Sequence, residues 1–325
     1  MLARLEDDEL HALLDDAEQT GAVGVGGASS TVSVDGDRVF VKRLPVTSLE
    51  LAHPLSTANL FGLPVTCHYG MHPLGSPGFS AWRELAANRA ASDAVLAGRT
   101  ATFALLHHWR VLPGRPPPTA EHEDVDAVVA QFGGDQAVRV RLEELAAAPA
   151  SVVLVLEHAP VPLLDTLTDP LRMADSLERQ LLDVVASLRE LGILHMDGHF
   201  GNLRSDGEQL YLVDFGLATS THFELSDTER VFFDHHRGHD ADYAAMRLVN
   251  WLVTSVCGDF AATSAGLLAR DAYVQRCADG DLPPDVPTPA VGILSRHAPT
   301  AARMNDFHRR LVDGDSSARY VRVEG

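Results

Sequence analysis

The chain has 325 residues, of which 46% are hydrophobic, and a formal net charge of -19 from 45 acidic and 26 basic residues. This length is enough for one two-lobed domain or for two smaller domains with a sizeable core. The acidic charge argues against a nucleic-acid-binding surface and against docking on an anionic membrane, because both need a basic face.

The cysteines and the N-terminus bear on the cellular compartment. The three cysteines are scattered along the chain, which predicts reduced thiols and not a disulfide framework. The N-terminal residues are acidic and lack the apolar core of a signal peptide, and no apolar run approaches the length that crosses a bilayer. We therefore expect a cytoplasmic protein without a membrane span.

The first part of the chain predicts a helix and then a β-hairpin. Leucines among acids over 5–18 predict an amphipathic helix. Two apolar alternations, 29–34 and 39–44, flank the Asp35-Gly36-Asp37 turn and predict a hairpin whose second strand carries Lys42. A glycine-rich loop is expected before this hairpin. Its small residues include Gly24, Gly26, Gly27 and Ser29.

Two insertions separate the next predicted elements. Residues 45–78 are rich in proline and glycine, which predicts irregular backbone without a helix. Ser80 caps a predicted helix that continues to about Leu96 and carries Glu84. A strand is predicted over 102–112, and residues 113–148 form a proline-rich linker followed by an acidic helical stretch over 121–148.

The second half of the chain is predicted to be mainly helical. A continuous apolar run over 151–157 predicts a buried strand that ends at Glu157, directly before His158. Leucines spaced by three and four predict a helix over 175–191. Further helices are predicted over 240–256, 263–278 and 299–312. The first of these starts with two acids, Asp240 and Asp242, which suit a helix N-terminus.

Between these helices lie two short polar motifs. The stretch from His195 to Asn202 has the pattern H-x-D-x-x-x-x-N, with Asp197 as its acid, and Asp214-Phe215-Gly216 follows after a predicted hairpin. Phosphoryl transfer needs one carboxylate near the acceptor hydroxyl and oxygen ligands that hold Mg²⁺ against nucleotide phosphates. The hairpin can bring Asn202 and Asp214 to one metal ion, with Asp197 one loop away.

On these two motifs the chain resembles the protein-kinase-like superfamily, which includes aminoglycoside and other small-molecule phosphotransferases. The resemblance covers most of residues 20–256, apart from the insertions over 45–78 and 113–148. It implies a bilobal α+β fold. A small N-lobe over 1–157 would hold an antiparallel sheet with one helix, and a mostly helical C-lobe would occupy 158–325.

The resemblance also implies a role for each site residue, with ATP and Mg²⁺ as cofactors. Asp197 would orient and deprotonate the acceptor hydroxyl, and Asn202 with Asp214 would hold Mg²⁺. Lys42 would hold the α- and β-phosphates, with Glu84 as its ion-pair partner. The loop with Gly24, Gly26 and Gly27 would cover the phosphates, although Ser29 stands where a third glycine is usual. The backbone at Glu157 and His158 would contact adenine, His195 would brace the catalytic loop, and Asp240 or Asp242 would support it.

Several of these assignments have alternatives. Lys42 could be a solvated strand-end lysine, and Glu50 could replace Glu84 as its partner. His199 stands where protein kinases usually carry lysine, in a D-x-H-x-G-N setting that small-molecule phosphotransferases often show, but it could be a packing histidine. His235 and His239 are four residues apart and could bind a transition metal if both lay on one helix.

Three departures from conventional protein kinases bear on the acceptor. Met196 replaces the arginine that reads activation-loop phosphorylation, the segment from Asp214 to Asp240 is short and lacks an A-P-E motif, and His199 replaces lysine. They favour a small-molecule acceptor, with an atypical serine/threonine protein kinase as the alternative. A nucleotide-binding pseudokinase scaffold is the non-enzyme alternative. The sequence leaves the identity of the acceptor and the oligomeric state open.

Overall fold

A computed structural model describes residues 7, 10, 14, 18–19, 28–34, 36–116, 122–159, 161–284, 286–315 and 318–321. The predicted helix over 5–18 lies mostly outside the described residues, and Gly24, Gly26 and Gly27 lie outside them entirely. The architecture is α+β, with a small antiparallel sheet in the first half of the chain and several helices in the second.

The main sheet has five antiparallel strands in the order β1-β2-β3-β5-β4. The strands are β1 (Glu18–Gln19), β2 (Ala28–Val34), β3 (Asp37–Val46), β4 (Leu106–Pro113) and β5 (Ala150–Glu157). The predicted hairpin is confirmed, because β2 pairs with β3 in a register that sets Ser29 opposite Lys42. The predicted buried strand is also confirmed: β5 lies between β3 and β4 and is buried along nearly its whole length, as its continuous apolar run requires.

One long helix covers a face of this sheet. Helix α2 (Ala81–Leu96) starts after Ser80, whose hydroxyl accepts a hydrogen bond from the Trp82 amide at 3.0 Å. This confirms the predicted cap, since such a side chain satisfies one of the open N–H groups of a first turn. Trp82 and Leu85 pack with Leu44 of β3 and Leu154 of β5 in a buried cluster.

The second half of the chain forms a mainly helical unit, and its apolar core also includes buried residues of the first half such as Tyr69, Ala91 and Phe103. The unit begins with the short helix α5 (Leu163–Thr166). Its long helices are α6 (Pro170–Glu190), α8 (His239–Val256), α9 (Ser264–Ala278) and α10 (Thr288–Val312). The predicted helices over 175–191, 240–256 and 263–278 are confirmed within a few residues. Within the described part of the chain, no helix has both the length and the apolar character needed to cross a membrane.

The predicted hairpin between the two polar motifs is present in this half. Strands β8 (Leu203–Ser205) and β9 (Leu210–Leu212) pair with each other, and β6 (Val161–Pro162) pairs with β8. A second small ladder joins β7 (Ile193–Leu194) to β10 (Thr219–Ser220). The two ladders bracket the H-x-D-x-x-x-x-N and D-F-G motifs from either side, and so hold both motifs beside each other.

Three sequence predictions were wrong in detail, and one is confirmed in a finer form. The segment 45–78 contains helix α1 (Ser48–Ala52) and a 3₁₀ turn (Val65–His68), because Thr47 and Glu50 form a capping box that starts a helix among the prolines. The helical stretch predicted over 121–148 is confirmed, and it forms two helices, α3 (Val125–Gln131) and α4 (Gln136–Ala146), because Gly133 and Gly134 both adopt positive φ between them.

The last helix and the first strand after α2 also differ from prediction. Helix α10 begins at Thr288, not 299, and continues through Pro299. Buried Ile293 and Leu294 keep its first half packed against the core, and this packing outweighs the helix-breaking tendency of the proline. Strand β4 begins at Leu106, four residues beyond the predicted start at Thr102.

A cluster of neutral histidines attaches the 3₁₀ turn to the helical half, at helix α7 (Asp227–His235). His68 and His236 both stack on Phe232, with ring centroids 5.2 Å and 3.8 Å apart. Tyr69 donates a hydrogen bond to Nε2 of His236 at 2.8 Å, and Nδ1 of His236 donates to the Phe232 carbonyl at 2.7 Å. Burial lowers the pKa of His68 and the pKa of His236 to about 3, so both rings are neutral at pH 7.

We predict that this cluster makes the protein sensitive to mild acid. The folded-state pKa of each histidine lies below its usual value of about 6.5. The neutral ring therefore contributes fully to stability above pH 6.5, and this contribution is lost as the pH falls toward the folded-state pKa. As the pH falls from 7.5 to 5, each of these two histidines should lower the free energy of unfolding by roughly 2 kcal/mol. Denaturant unfolding at the two pH values measures the loss. His236→Gln should shrink this difference, whereas substitution of the exposed His107 by Gln should leave it unchanged.

Candidate active site

A buried lysine stands at the centre of the cleft between the sheet and the helical unit. Nζ of Lys42, on β3, lies 2.7 Å from Oε1 of Glu84 on α2 and 2.8 Å from Oδ1 of Asp214. The lysine and Glu84 are almost fully buried, whereas the Asp214 side chain is 39% exposed. Lys42 is therefore not a solvated lysine at a strand end, and its ion-pair partner on α2 is Glu84, not Glu50.

Glu50, the other candidate partner, serves a different contact. Its carboxylate accepts hydrogen bonds from Arg141 of α4 at 2.9 Å and from the Ala81 amide at 3.0 Å, and it is fully buried. Its carbonyl accepts a hydrogen bond from the indole of Trp82 at 2.9 Å. Glu50 therefore attaches the start of α2 to α1 and α4.

The loop after β7 is held by an acid at the start of α8. Oδ2 of Asp240 accepts a hydrogen bond from the His195 amide at 2.7 Å, and Oδ1 accepts one from the Met196 amide at 3.0 Å. The His195 ring donates from Nε2 to the Val213 carbonyl at 3.1 Å, which connects this loop to the strand before Asp214. Asp242 instead accepts a hydrogen bond from the Tyr320 hydroxyl, so the choice left open by the sequence falls on Asp240.

Asp197 and Asn202 lie together in this loop. Nδ2 of Asn202 donates to the Asp197 carbonyl at 2.9 Å and to its Oδ2 at 3.2 Å. Met196, directly before Asp197, and Asp214 both adopt a φ of 67°. This left-handed conformation is uncommon for residues other than glycine, and such strain concentrates at functional sites.

The two aspartates differ in their electrostatics. Burial raises the pKa of Asp197 well above its usual value, and the negative charge of Asp214 raises it further. Burial also acts to raise the pKa of Asp214, but the charge of Lys42 outweighs it and holds that pKa below the usual value. Neighbouring carboxylates with pKa values pushed apart can take different roles. Here Asp214 is suited to hold a cation and Asp197 to accept a proton.

The remaining predicted residues line the same cleft. The cavity has a volume of about 630 Å³, and its lining includes Ser29, Glu157, His158 and His199 together with the lysine and both aspartates. Ser29 lies at the start of β2, and Glu157 ends β5, where its carboxylate accepts a hydrogen bond from the Leu105 amide at 3.1 Å. The cleft thus brings together every described residue that was predicted to contact the nucleotide, the metal or the acceptor.

His199 has a structural contact as well as a place in the cavity. Its Nδ1 accepts a hydrogen bond from the Gly201 amide at 3.0 Å, and its Nε2 lies 3.7 Å from Oδ2 of Asp197. Burial lowers the pKa of His199 to about 4, so the ring is neutral. The ring therefore shapes the 3₁₀ turn (Phe200–Asn202) beside Asp197.

The alternative prediction of a transition-metal site at His235 and His239 is wrong. His235 ends α7 and its ring donates to the Tyr320 carbonyl at 2.9 Å, whereas His239 begins α8, so the two do not share a helix face. Among the described residues, no group of three or more His, Cys, Asp or Glu side chains is placed to hold a metal ion.

The oxygen donors beside Lys42 fit Mg²⁺. Asn202 uses its amide nitrogen on Asp197, which leaves its amide oxygen for a cation. Asp214 uses Oδ1 on Lys42 and on the Gly216 amide, which leaves Oδ2. Mg²⁺ is usually bound through one or two protein oxygen ligands, with water and substrate phosphates completing its coordination.

Sequence reasoning missed a buried ion pair that holds α2 against the helical unit. Arg83 donates to Glu229 of α7 at 2.6 Å, and each side chain is 2% exposed. Nε of Arg83 also donates to the Thr57 carbonyl at 2.6 Å, and Phe79 packs against the guanidinium. Arg83 precedes Glu84, so the two charges leave α2 in different directions and anchor the helix on two sides. The charged pair is far apart in sequence, and no local pattern indicates it.

No protein-family model matches the chain, and a comparison with curated proteins found no match.

We predict that the intact Arg83–Glu229 pair is needed for much of the free energy of unfolding. Removal of one partner leaves a buried charge unpaired, which should lower the unfolding free energy by roughly 3–5 kcal/mol in Arg83→Met or in Glu229→Gln. The double variant Arg83→Met/Glu229→Met should lose less than the sum of the single changes. Denaturant unfolding measures all three.

The matched control for this prediction is Arg230→Met. Arg230 forms an exposed ion pair with Asp227 on the same helix, with the aspartate side chain 97% exposed. Such a pair contributes about 0–1 kcal/mol. Equal losses in Arg83→Met and Arg230→Met would contradict the role given to Arg83.

Proposed function

We propose that this protein is an ATP- and Mg²⁺-dependent phosphotransferase with a two-lobed, protein-kinase-like fold, and that it moves the γ-phosphoryl group of ATP to a hydroxyl acceptor. The observation that carries the proposal is the arrangement around Lys42. One buried ammonium lies between Glu84 and Asp214, and Asp197 and Asn202 line the same cleft. Phosphoryl transfer depends on positioned charges of this kind more than on covalent chemistry.

Each residue has a task in the proposed reaction. Lys42 binds the nucleotide phosphates, and Glu84 fixes its ammonium in place. The acceptor oxygen forms a new bond to the γ-phosphorus while the bond from that phosphorus to the bridging oxygen breaks, with its electron pair leaving on ADP. The hydroxyl proton passes to Asp197, whose raised pKa suits it to receive a proton.

The metal would be held by Asp214 and Asn202. Mg²⁺ supplies charge neutralisation for the phosphates when it is bound. The low pKa of Asp214 keeps its carboxylate ionised for this purpose. The proposal includes a cytoplasmic location, supported by three cysteines that are buried as thiols.

Exchange of the two aspartates for asparagine tests these roles. Asp214→Asn should weaken ATP binding in the presence of Mg²⁺ and lower turnover, because it removes a metal ligand. Asp197→Asn should keep ATP affinity near that of the wild type and lower turnover by about 10²–10⁴, the range of a lost general base. Calorimetry for affinity and release of labelled phosphate for turnover measure the two effects separately.

The control is Asp227→Asn, an exposed carboxylate on α7 that should change neither quantity. The role assignment is reversed if Asp197→Asn abolishes nucleotide binding and Asp214→Asn spares it. Full turnover in both variants would remove phosphotransfer as the function of this cleft.

A further inference from the structure

Gly70, in the first insertion, lies directly against the side chain of Asp197. A Cβ atom at Gly70 would lie 2.1 Å from Oδ1 of Asp197 and 2.3 Å from its Cγ. These distances are far shorter than any van der Waals contact, so no other amino acid fits here without displacement of the carboxylate or the backbone. The first insertion therefore packs directly against the carboxylate that is proposed to take the proton from the acceptor hydroxyl.

The Asp197 carboxylate is only partly satisfied beneath this glycine. Oδ2 accepts a hydrogen bond from Asn202, but Oδ1 is buried and has no hydrogen-bond partner among the described residues. An unpaired buried carboxylate oxygen is costly, and such groups are rare in native structures. Because the backbone at Gly70 covers Oδ1, an acceptor hydroxyl has to approach the carboxylate at its Oδ2 edge.

The segment 70–78 forms a wall of the cavity and is anchored on both sides. It contributes Gly70, His72, Ser76 and Gly78 among others to the lining. Gln131 of α3 donates to the Gly75 carbonyl at 2.9 Å and accepts from the Leu74 amide at 3.0 Å.

Residues 68 and 69, which directly precede the wall, attach it to the second half of the chain. Nδ1 of His68 donates to the Leu217 carbonyl at 2.9 Å, and Tyr69 donates to His236 at 2.8 Å. Ser76 donates back to the Cys67 carbonyl at 2.6 Å, which closes the segment on itself. A displacement of the wall would break these contacts together.

The cavity volume limits what can bind beside a nucleotide. At about 630 Å³, it falls in the range of about 300–1,000 Å³ that is usual for small-molecule sites. The nucleotide and the acceptor have to share this volume. An extended polypeptide would have to cross Asp197 where Gly70 already lies.

We propose that the anchored segment 70–78 is the acceptor-side wall of the cleft, that it admits only a small hydroxyl compound and excludes polypeptide, and that Gly70, which has no side chain, lets this wall pack against Asp197 without displacing its carboxylate. This inference rests on the proposed phosphotransfer function. Gly70 acts as a positioning residue, because any side chain at this place would overlap the Asp197 carboxylate and displace it from the acceptor position.

Binding of ATP esters tests the inference without knowledge of the natural acceptor. Two probes carry an alcohol on the γ-phosphate: glycerol in one, and the serine hydroxyl of a short peptide in the other. Competition against a fluorescent nucleotide in Mg²⁺ gives the Kd of ATP and of each ester. The wild type should bind the glycerol ester within about threefold of ATP and the peptide ester about tenfold or more weakly, because only the latter meets the wall.

Gly70→Ala distinguishes the wall from the nucleotide site. The added methyl group should displace the Asp197 carboxylate or the wall from the acceptor position, which should weaken the glycerol ester by about tenfold; the affinity for ATP should stay unchanged, since ATP itself does not reach that position. Gly292→Ala is the control, because this glycine lies in α10, outside the cleft, and a Cβ there meets only the end of the Arg296 side chain at 3.3 Å. It should bind all three compounds as the wild type does.

Three results would overturn the inference. The peptide ester could bind as tightly as the glycerol ester, both esters could bind far more weakly than ATP, or Gly70→Ala could bind the glycerol ester as well as the wild type does. A wild type that binds no ATP at all would refute the proposed function instead, and the two failures are therefore distinguishable.

Discussion

The contact on which the rest of the structure depends is the ammonium group of Lys42, shared between Glu84 at 2.7 Å and Asp214 at 2.8 Å. A buried charge is tolerated only when it is paired. One strand, one helix and one loop must therefore meet at this point, although they come from distant parts of the chain. Burial alone would lower the pKa of Lys42, but the two carboxylates raise it, so the lysine stays charged in the folded protein. The chain itself thus supplies the paired charges of the cleft.

A second layer of buried ionic contacts keeps this centre in place. Arg83 joins α2 to α7, and Glu50 joins the start of the same helix to α4 through Arg141. Asp240 holds the loop that carries Asp197, because its carboxylate accepts hydrogen bonds from two amides of that loop. The first insertion takes part in this layer through Glu50 and Thr57, and the second through Arg141. The insertions therefore brace the site, and the first also encloses it at Gly70.

Features determined by local sequence were predictable, and those determined by distant packing were not. The hairpin with Lys42, the Ser80 cap and the central strand β5 follow from alternation, capping chemistry and continuous apolar character. The pairing of Lys42 with Glu84 was predicted from the family resemblance, and the geometry agrees with it. In contrast, α10 extends through Pro299 because its apolar face packs on the core, and α1 forms among prolines because of a capping box. The contact of Gly70 with Asp197 joins residues far apart in the chain, so only the fold reveals it.

Binding of ATP through a metal-linked site in this cleft is tested most directly by calorimetric titration of ATP into the wild-type protein, with Mg²⁺ and with the metal removed by chelation. We expect binding in both cases, because Lys42 contributes without metal, with an affinity about tenfold or more higher when Mg²⁺ is present. Equal affinity with and without Mg²⁺, or no binding in either condition, would contradict the proposed site.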